Sequence, residues 1–175
     1  MKLAALVCIT VLAGAVTATA QDNAMAQAGK TTLGLIKGNV VKAAEQMSEE
    51  NYAFKPTPDV RSFGQLVGHI ANANYMICSM ASGAANPSKA DIEKTVTSKA
   101  DLTKAVTDSF AFCEAQFDAM TPAQSAESIK LFGGMTMPRL SALYFNTAHD
   151  FEHYGNIVTY MRLKGMVPPS SQRGM

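Results

Sequence analysis

Apolar residues recur at intervals of three and four along most of the chain, which is the spacing of one face of an α-helix. The recurrence predicts four long helices, at about residues 24–48, 59–82, 100–120 and 138–164. Nothing convincing alternates with the period of two that a half-buried strand shows. The pattern therefore predicts an all-α fold, and four helices of this length predict a four-helix bundle.

The inward faces of the first three helices can be read from the same periodicity. We expect them to carry Leu33, Leu35, Ile36, Val40 and Val41, then Phe63, Leu66, Val67, Ile70 and Ile77, and finally Leu102, Val106, Phe110 and Phe117. Prolines and glycines place the connections. Pro56 and Pro58 force an extended link, because a residue before proline is pushed out of the helical region. A short helical turn is expected within residues 89–96, a glycine turn at residues 131–134, and a frayed tail from residue 170.

The first twenty residues have the pattern of an export leader. Lys2 supplies the positive start, an apolar and small-residue run follows, and Ala18-Thr19-Ala20 has the small-x-small pattern that signal peptidase accepts. We predict cleavage after Ala20, export to the periplasm or the medium, and a single domain over residues 21–175. The leader run is too short for a stable membrane span, so we expect no membrane partner after cleavage.

Charge changes the picture only by exclusion. The chain has 15 Lys and Arg against 14 Asp and Glu, and removal of Lys2 with the leader leaves 14 against 14. A neutral chain without a basic cluster lacks the footprint that neutralises phosphates, so nucleic acid is not an expected partner. An unidentified small molecule is the expected ligand, and a bundle of this size is compatible with a homodimer.

Two cysteines remain after the predicted cleavage, Cys78 and Cys113, both on predicted helices. An oxidising compartment permits a disulfide between them. The alternative interpretation is that each is a small buried hydrophobic residue, and the sequence does not decide between the two.

The fourth predicted helix carries an unusual polar stripe. Asn146, His149, His153, Asn156 and Tyr160 follow one another at steps of three, four, three and four, which places all five on one face. Such a seam normally points into a bundle and is apolar. A buried polar seam requires a hydrogen-bonded network, a metal ion or a water-filled pocket.

Two histidines four residues apart on a helix project toward one point, which is a spacing that chelates a cation. The remaining histidine, His69, lies in the middle of the second predicted helix, and we predict that it completes a site with His149 and His153. Three neutral imidazoles can bind Zn²⁺, Ni²⁺, Fe²⁺, Mn²⁺ or Co²⁺ and leave a position open for water or substrate. The alternative is three metal-free core histidines that are hydrogen-bonded to polar neighbours.

The other polar residues of the fourth helix receive subordinate roles. Asn146, Asn156 and Tyr160 are placed to orient the predicted ligands, although packing at a bundle seam also explains them. Asp150 and Glu152 flank the ligands but point elsewhere on the helix, so we expect both on a solvated face, with action as a base the lesser alternative.

The chain resembles the DinB-like (damage-inducible) family of four-helix-bundle proteins over nearly all of residues 21–175. The residues that carry the resemblance are Phe54-Lys55-Pro56, the run Arg61 to Leu66, Gly68-His69-Ile70, the run His149 to Ile157, the run Tyr160 to Gly165, and Pro168-Pro169. The resemblance implies a bundle with an unusual crossover connection and a divalent metal held by His69, His149 and His153.

The resemblance also implies classes of activity. Relatives with established activity use the metal to activate a low-molecular-weight thiol in S-transferases and an isomerase, and others are described as metal-dependent hydrolases. The first functional hypothesis is thus a metal-dependent enzyme of hydrolase or thiol-transferase type, in which the metal makes a nucleophile of water or thiol. The alternative is a non-catalytic bundle that binds a metal or a small ligand. An open cavity at the metal position would favour the enzyme.

Overall fold

The computed structural model describes residues 23–172 of the chain. The predicted leader and the last three residues lie outside this part. In chain order, the helices and strands are α1 (Ala24–Gln46), α2 (Phe63–Ser82), α3 (Ile92–Thr95), α4 (Lys99–Ala119), α5 (Pro122–Ser125), β1 (Ser128–Lys130), β2 (Thr136–Pro138) and α6 (Arg139–Leu163). Short 3₁₀ turns cover Glu49–Ala53, Phe132–Gly134 and Pro169–Ser171.

The four long helices form a bundle whose order in space differs from their order in the chain. α1 packs against α4 and α6, and α2 packs against the same two helices. The consecutive helices α1 and α2 are therefore diagonal to each other, and the link that contains Pro56 and Pro58 crosses the end of the bundle. Both the predicted four-helix bundle and its crossover connection are confirmed.

Local hydrogen bonds fix the ends of the helices at or near the predicted positions. Ser62 forms a capping box with Gln65, in which each side chain bonds to the other residue's backbone N–H. Thr121 does the same with Gln124 at the start of α5. Gly83 ends α2 with a φ of 80°, a conformation that glycine adopts without the steric cost of a Cβ. The Ser62 and Gly83 caps thus set the two ends of α2, the helix that carries His69.

The core contains nearly all of the predicted inward residues. Those of α2 and α4 are fully or almost fully buried, as are Leu33, Ile36 and Val40 of α1. Leu35 is 66% exposed, because the residue that precedes Ile36 points away from both α4 and α6. Among residues 23–172, no helix is both long and apolar enough to cross a membrane.

Two segments differ from the sequence-based expectations. The predicted glycine turn connects β1 to β2 in a small antiparallel ribbon, which periodicity missed because each strand has only three residues. Residues 170–172 are ordered, so the predicted fraying is wrong for them, and the rest of that prediction lies outside the described residues. The Tyr154 hydroxyl donates to Ser170 Oγ at 3.0 Å and accepts from the Ser170 N–H at 2.9 Å.

A disulfide between Cys78 and Cys113 links α2 to α4 in the buried core. The sequence left this pairing open, because a spacing of 35 residues shows nothing about proximity. The bond ties together two of the helices that pack against each other, beneath the polar seam of α6.

Candidate metal centre

All three histidines meet between α2 and α6. His69 projects from α2, His149 and His153 project from adjacent turns of α6, and one potential ligand atom from each lies within 4.8 Å of the other two. The ring centroids are 4.3 Å apart for His149 and His153, 4.7 Å for His69 and His153, and 5.2 Å for His69 and His149. The structure thus brings together the three residues that the sequence singled out, and they could hold a metal ion.

The ring nitrogens are arranged as metal ligands require. The Nε2 atoms of His149 and His153 face each other at 3.0 Å. His69 turns its Nδ1 to Glu93 Oε2 at 2.9 Å, which leaves its own Nε2 free. His149 Nδ1 is buried and has no hydrogen-bond partner among residues 23–172, in contrast to Nδ1 of His69. Three imidazoles that converge without a carboxylate among them suit a divalent transition metal.

Burial keeps two of these imidazoles uncharged. Burial, together with the neighbouring His153 and His69, lowers the pKa of His149 to about 4. Burial, together with smaller effects of His69 and Arg61, lowers the pKa of His153 to about 4 as well. Both rings are therefore neutral at pH 7, and their lone pairs are available to a cation.

Glu93 is the residue at this site that the sequence did not indicate. It lies on the short helix α3, where one carboxylate oxygen accepts from His69 and the other accepts from Arg61 Nε at 2.8 Å. Burial alone would raise the pKa of Glu93, but the hydrogen bonds from Arg61 and His69 outweigh it and hold the pKa below its ordinary value. An ionised carboxylate on the far nitrogen of a metal-binding histidine fixes the ring orientation and raises its basicity.

Gly68 allows α3 to come this close. A Cβ built on Gly68 would lie 2.8 Å from Glu93 Cα and 3.0 Å from Glu93 N, distances that real Cβ atoms hardly ever show. A glycine in a helix interior and next to His69 was the signal available in the sequence, since such a glycine indicates a close approach of another backbone. The sequence could not show which segment makes that approach.

The three other polar residues of the stripe have different partners. Asn156 Nδ2 lies 3.3 Å from His153 Nδ1, so this amide contacts a predicted ligand. The Tyr160 hydroxyl donates to the backbone oxygen of Arg61 at 2.6 Å, which links α6 to the loop before α2. Asn146 is fully buried and donates to Asn74 Oδ1 at 2.7 Å, one turn away from the histidines.

The expectation of a solvated Asp150 is wrong. Its side chain is fully buried, 3.3 Å from Asn146 Nδ2, and both of its oxygens lie 3.2 Å from the Asn74 side-chain oxygen. The reason is that α6 packs against both α1 and α2, so more than one of its faces is enclosed. Burial raises the pKa of Asp150 well above its ordinary value, and the resulting neutral acid can donate to Asn74. Glu152 is exposed, as expected.

An open cleft of about 600 Å³ reaches the histidine cluster. His153 lines this cleft, with Asn156 and Tyr160 beside it on α6. Arg61, Glu93 and the link from Lys55 to Val60 line it as well. A small molecule can therefore approach the histidines from solvent.

Comparison with known proteins agrees with this architecture. A sequence model of the DinB superfamily matches residues 36–157. No curated protein matches the sequence significantly.

Solved structures with the same fold come from several bacteria. The DinB-like protein YjoA of Bacillus subtilis is 22% identical, with a TM-score of 0.66 over 84% of this chain and 99% of its own. A DinB-like protein of Bacillus cereus is 17% identical, with a TM-score of 0.72 over 82% and 95%. YfiT of Bacillus subtilis, described as a probable metal-dependent hydrolase with an unusual four-helix bundle topology, is 14% identical, with a TM-score of 0.65 over 83% and 91%.

Replacement of the buried acid should change how stability depends on pH. Because the pKa of Asp150 is raised in the folded state, the folded protein binds more protons than the unfolded chain above pH 4. The wild type should therefore lose stability relative to Asp150→Asn as the pH rises, by up to about 1.4 kcal/mol per pH unit until the folded pKa is passed. Urea unfolding of chelator-treated protein between pH 5 and 8 measures this difference.

Asp59→Asn, at an exposed position, is the matched control and should show no such trend. A constant difference between Asp150→Asn and the wild type across this pH range would contradict a neutral buried acid.

Loss of the Glu93 carboxylate should weaken metal binding without removing a ligand. Glu93→Gln keeps the shape of the side chain but loses the charge that orients His69, and the affinity for Zn²⁺ should fall about 10-fold to 100-fold. Competition with a chromophoric chelator measures the affinity. Glu152→Gln, an exposed change beside the ligands, should leave the affinity unchanged, and equal affinities for Glu93→Gln and wild type would rule out the orienting role.

Proposed function

Because the chain belongs to the DinB superfamily and its three histidines converge at an open cleft, we propose that it is a metal-dependent enzyme that acts on a small molecule. His69, His149 and His153 hold the metal in this proposal. The observation that carries it is the convergence of three imidazoles, one of which, that of His153, lines a cleft that is open to solvent. A sealed site would have favoured a structural metal.

The residues of the site have distinct parts in the proposed activity. A divalent metal supplies a Lewis acid that lowers the pKa of a coordinated water or thiol. The helices α2 and α6 hold the three imidazoles at fixed positions. Glu93 accepts a hydrogen bond from Nδ1–H of His69, so that Nε2 of the same ring faces the site. His153 faces the cleft, so a substrate in the cleft lies next to the ligands.

Hydrolysis is the reaction class that we favour over thiol transfer. The structural neighbour YfiT carries the description of a probable metal-dependent hydrolase, and water needs no second binding site for a cosubstrate. Thiol transfer begins with the same activation step at the same three histidines. Thiols of the kind used by the DinB-like S-transferases are chiefly intracellular. The compartment of this protein therefore bears on the choice between hydrolysis and thiol transfer.

We further propose that the protein is exported and that its leader is cleaved after Ala20. The leader pattern supports this, and so does the buried bond between Cys78 and Cys113, because disulfides persist chiefly in oxidising compartments. An enzyme in such a compartment meets water freely and meets the reduced intracellular thiols rarely.

Export can be measured together with the disulfide. Produced with its own leader in a bacterial host, the chain should appear in the periplasm or medium with Gln21 as its first residue. Its mass should be two hydrogens below that of the reduced chain, and reduction should release two thiols. A full-length chain retained in the cytoplasm would contradict export, and two free thiols in the exported chain would contradict the disulfide.

The metal and the activity are tested on the same samples. Protein purified without a histidine tag should contain about one equivalent of a divalent metal by elemental analysis. His69→Ala removes one of three ligands and should lose most of that metal, whereas Met76→Ala, an exposed change on the same helix, should keep it. A panel of small esters, amides and phosphate esters should show hydrolysis that is lost with His69→Ala.

Two outcomes would count against the proposal in different ways. Wild-type protein without metal, even after incubation with Zn²⁺, Ni²⁺, Fe²⁺ or Mn²⁺, would indicate metal-free core histidines. Stoichiometric metal without any reaction that depends on His69 would indicate a non-catalytic binding protein.

A further inference from the structure

Arg61 is held at the rim of the cleft by contacts from two directions. Its backbone oxygen accepts from the Tyr160 hydroxyl at 2.6 Å, which fixes the loop to α6. Its Nε donates to Glu93 at 2.8 Å, which fixes the side chain to α3. The residue precedes the N-cap of α2, so three elements of the site determine where its guanidinium lies.

Most of the hydrogen-bonding capacity of this guanidinium is unused. An arginine has five N–H donors, and only the one on Nε has a partner here. Within residues 23–172, the structure shows no hydrogen-bond partner for either Nη group of Arg61. The side chain is 42% exposed and lines the cleft with His153. By contrast, Arg139 uses both Nε and Nη1 for contacts within the protein.

The geometry of the free donors selects a particular chemistry. The outer edge of a guanidinium is planar and matches the two oxygens of a carboxylate or phosphate. Lys55 lines the same cleft without an ion pair in the described part of the chain, and Asp59 supplies the one exposed carboxylate among the lining residues. The carboxylate of Glu93 is already engaged by Arg61 and His69.

We propose that Arg61 binds an oxyanion, a carboxylate or a phosphate, of the small molecule that reacts at the histidine cluster. The substrates are then anionic, with the charged group held at the rim and the reacting group at His153. This specificity rests on the proposed function, since it presumes that the cleft is the substrate site. The cleft of about 600 Å³ suits a metabolite-sized molecule.

The test uses two probes of nearly equal shape, of which one is dianionic and the other is neutral. Glutarate and its neutral diamide, glutaramide, are titrated into Zn²⁺-loaded full-length protein and into chelator-treated protein. Binding is followed by calorimetry and by the NMR signal of the Arg61 Nε–H, which is identified by its loss in Arg61→Gln. Glycerol 2-phosphate replaces glutarate in a parallel titration and shows which oxyanion binds more tightly.

The expected result is that an oxyanion shifts the Arg61 signal and binds about tenfold more tightly than glutaramide. Arg61→Gln should lose this preference, Asp59→Asn should increase it by removing a like charge, and the remote Arg162→Gln should preserve it. The preference should persist in the chelator-treated protein, which excludes coordination of the carboxylate by zinc as its cause.

The proposal is overturned if both oxyanions bind no better than glutaramide to wild-type protein, a comparison that needs no variant. It is also overturned if Arg61→Gln keeps the full preference. The metal content of each sample separates this outcome from failure of the proposed function: protein without metal whose Arg61 still binds glutarate retains the anion site and loses the metal-dependent chemistry.

Discussion

The packing of three imidazoles between α2 and α6 is the contact on which the rest of the site depends. Their ring centroids lie 4.3–5.2 Å apart, so each ring packs against the other two. Burial lowers the pKa of His149 and His153, which means that the folded protein contains them as neutral bases. It is unfavourable to leave the lone pairs of several neutral imidazoles without a partner at one point. A cation that accepts one lone pair from each ring would remove this cost.

A chain of hydrogen bonds holds the imidazoles against the surrounding elements. It runs from the Tyr160 hydroxyl to the backbone of Arg61, from Arg61 Nε to Glu93, and from Glu93 to His69. The chain begins on α6 and returns to α2 through a loop and through α3. Gly68 is part of the same arrangement, because the contact between α2 and the α3 backbone leaves no room for a side chain.

Periodicity in the sequence was enough to predict the four long helices and to pair His149 with His153, because these are properties of single helices. His69 was added to the pair as the one remaining histidine of the chain. The steps of three and four that place His149, His153 and Asn156 on one face are fixed by helix geometry alone. Glu93 and Arg61 lie on connections, where no period relates position to direction. Their roles depend on how the long segment after Gly83 packs against α2, and this is a tertiary contact that a single sequence does not encode locally.

Asp150 shows a different limit of the same reasoning. The stripe at Asn146, His149 and His153 defines one buried face of α6, and a residue beside it is assigned to solvent if the helix has only one packed face. α6 contacts α1 as well as α2, so Asp150 turns into a second enclosed region, near Asn74 and Asn146.

The polar groups around Asp150 and those around the histidines consequently differ in how their hydrogen bonds can be completed. Near Asp150, the neutral acid can donate to the Asn74 side chain without any ligand, and Asn146 Oδ1 is the buried atom that has no partner among residues 23–172. Around the histidines, His149 Nδ1 has no partner, and the Nη groups of Arg61 have none in the described part of the chain. The Arg61 side chain lines the cleft, where an anionic substrate would supply its missing partners, and a metal ion would take one lone pair from each of the three histidines.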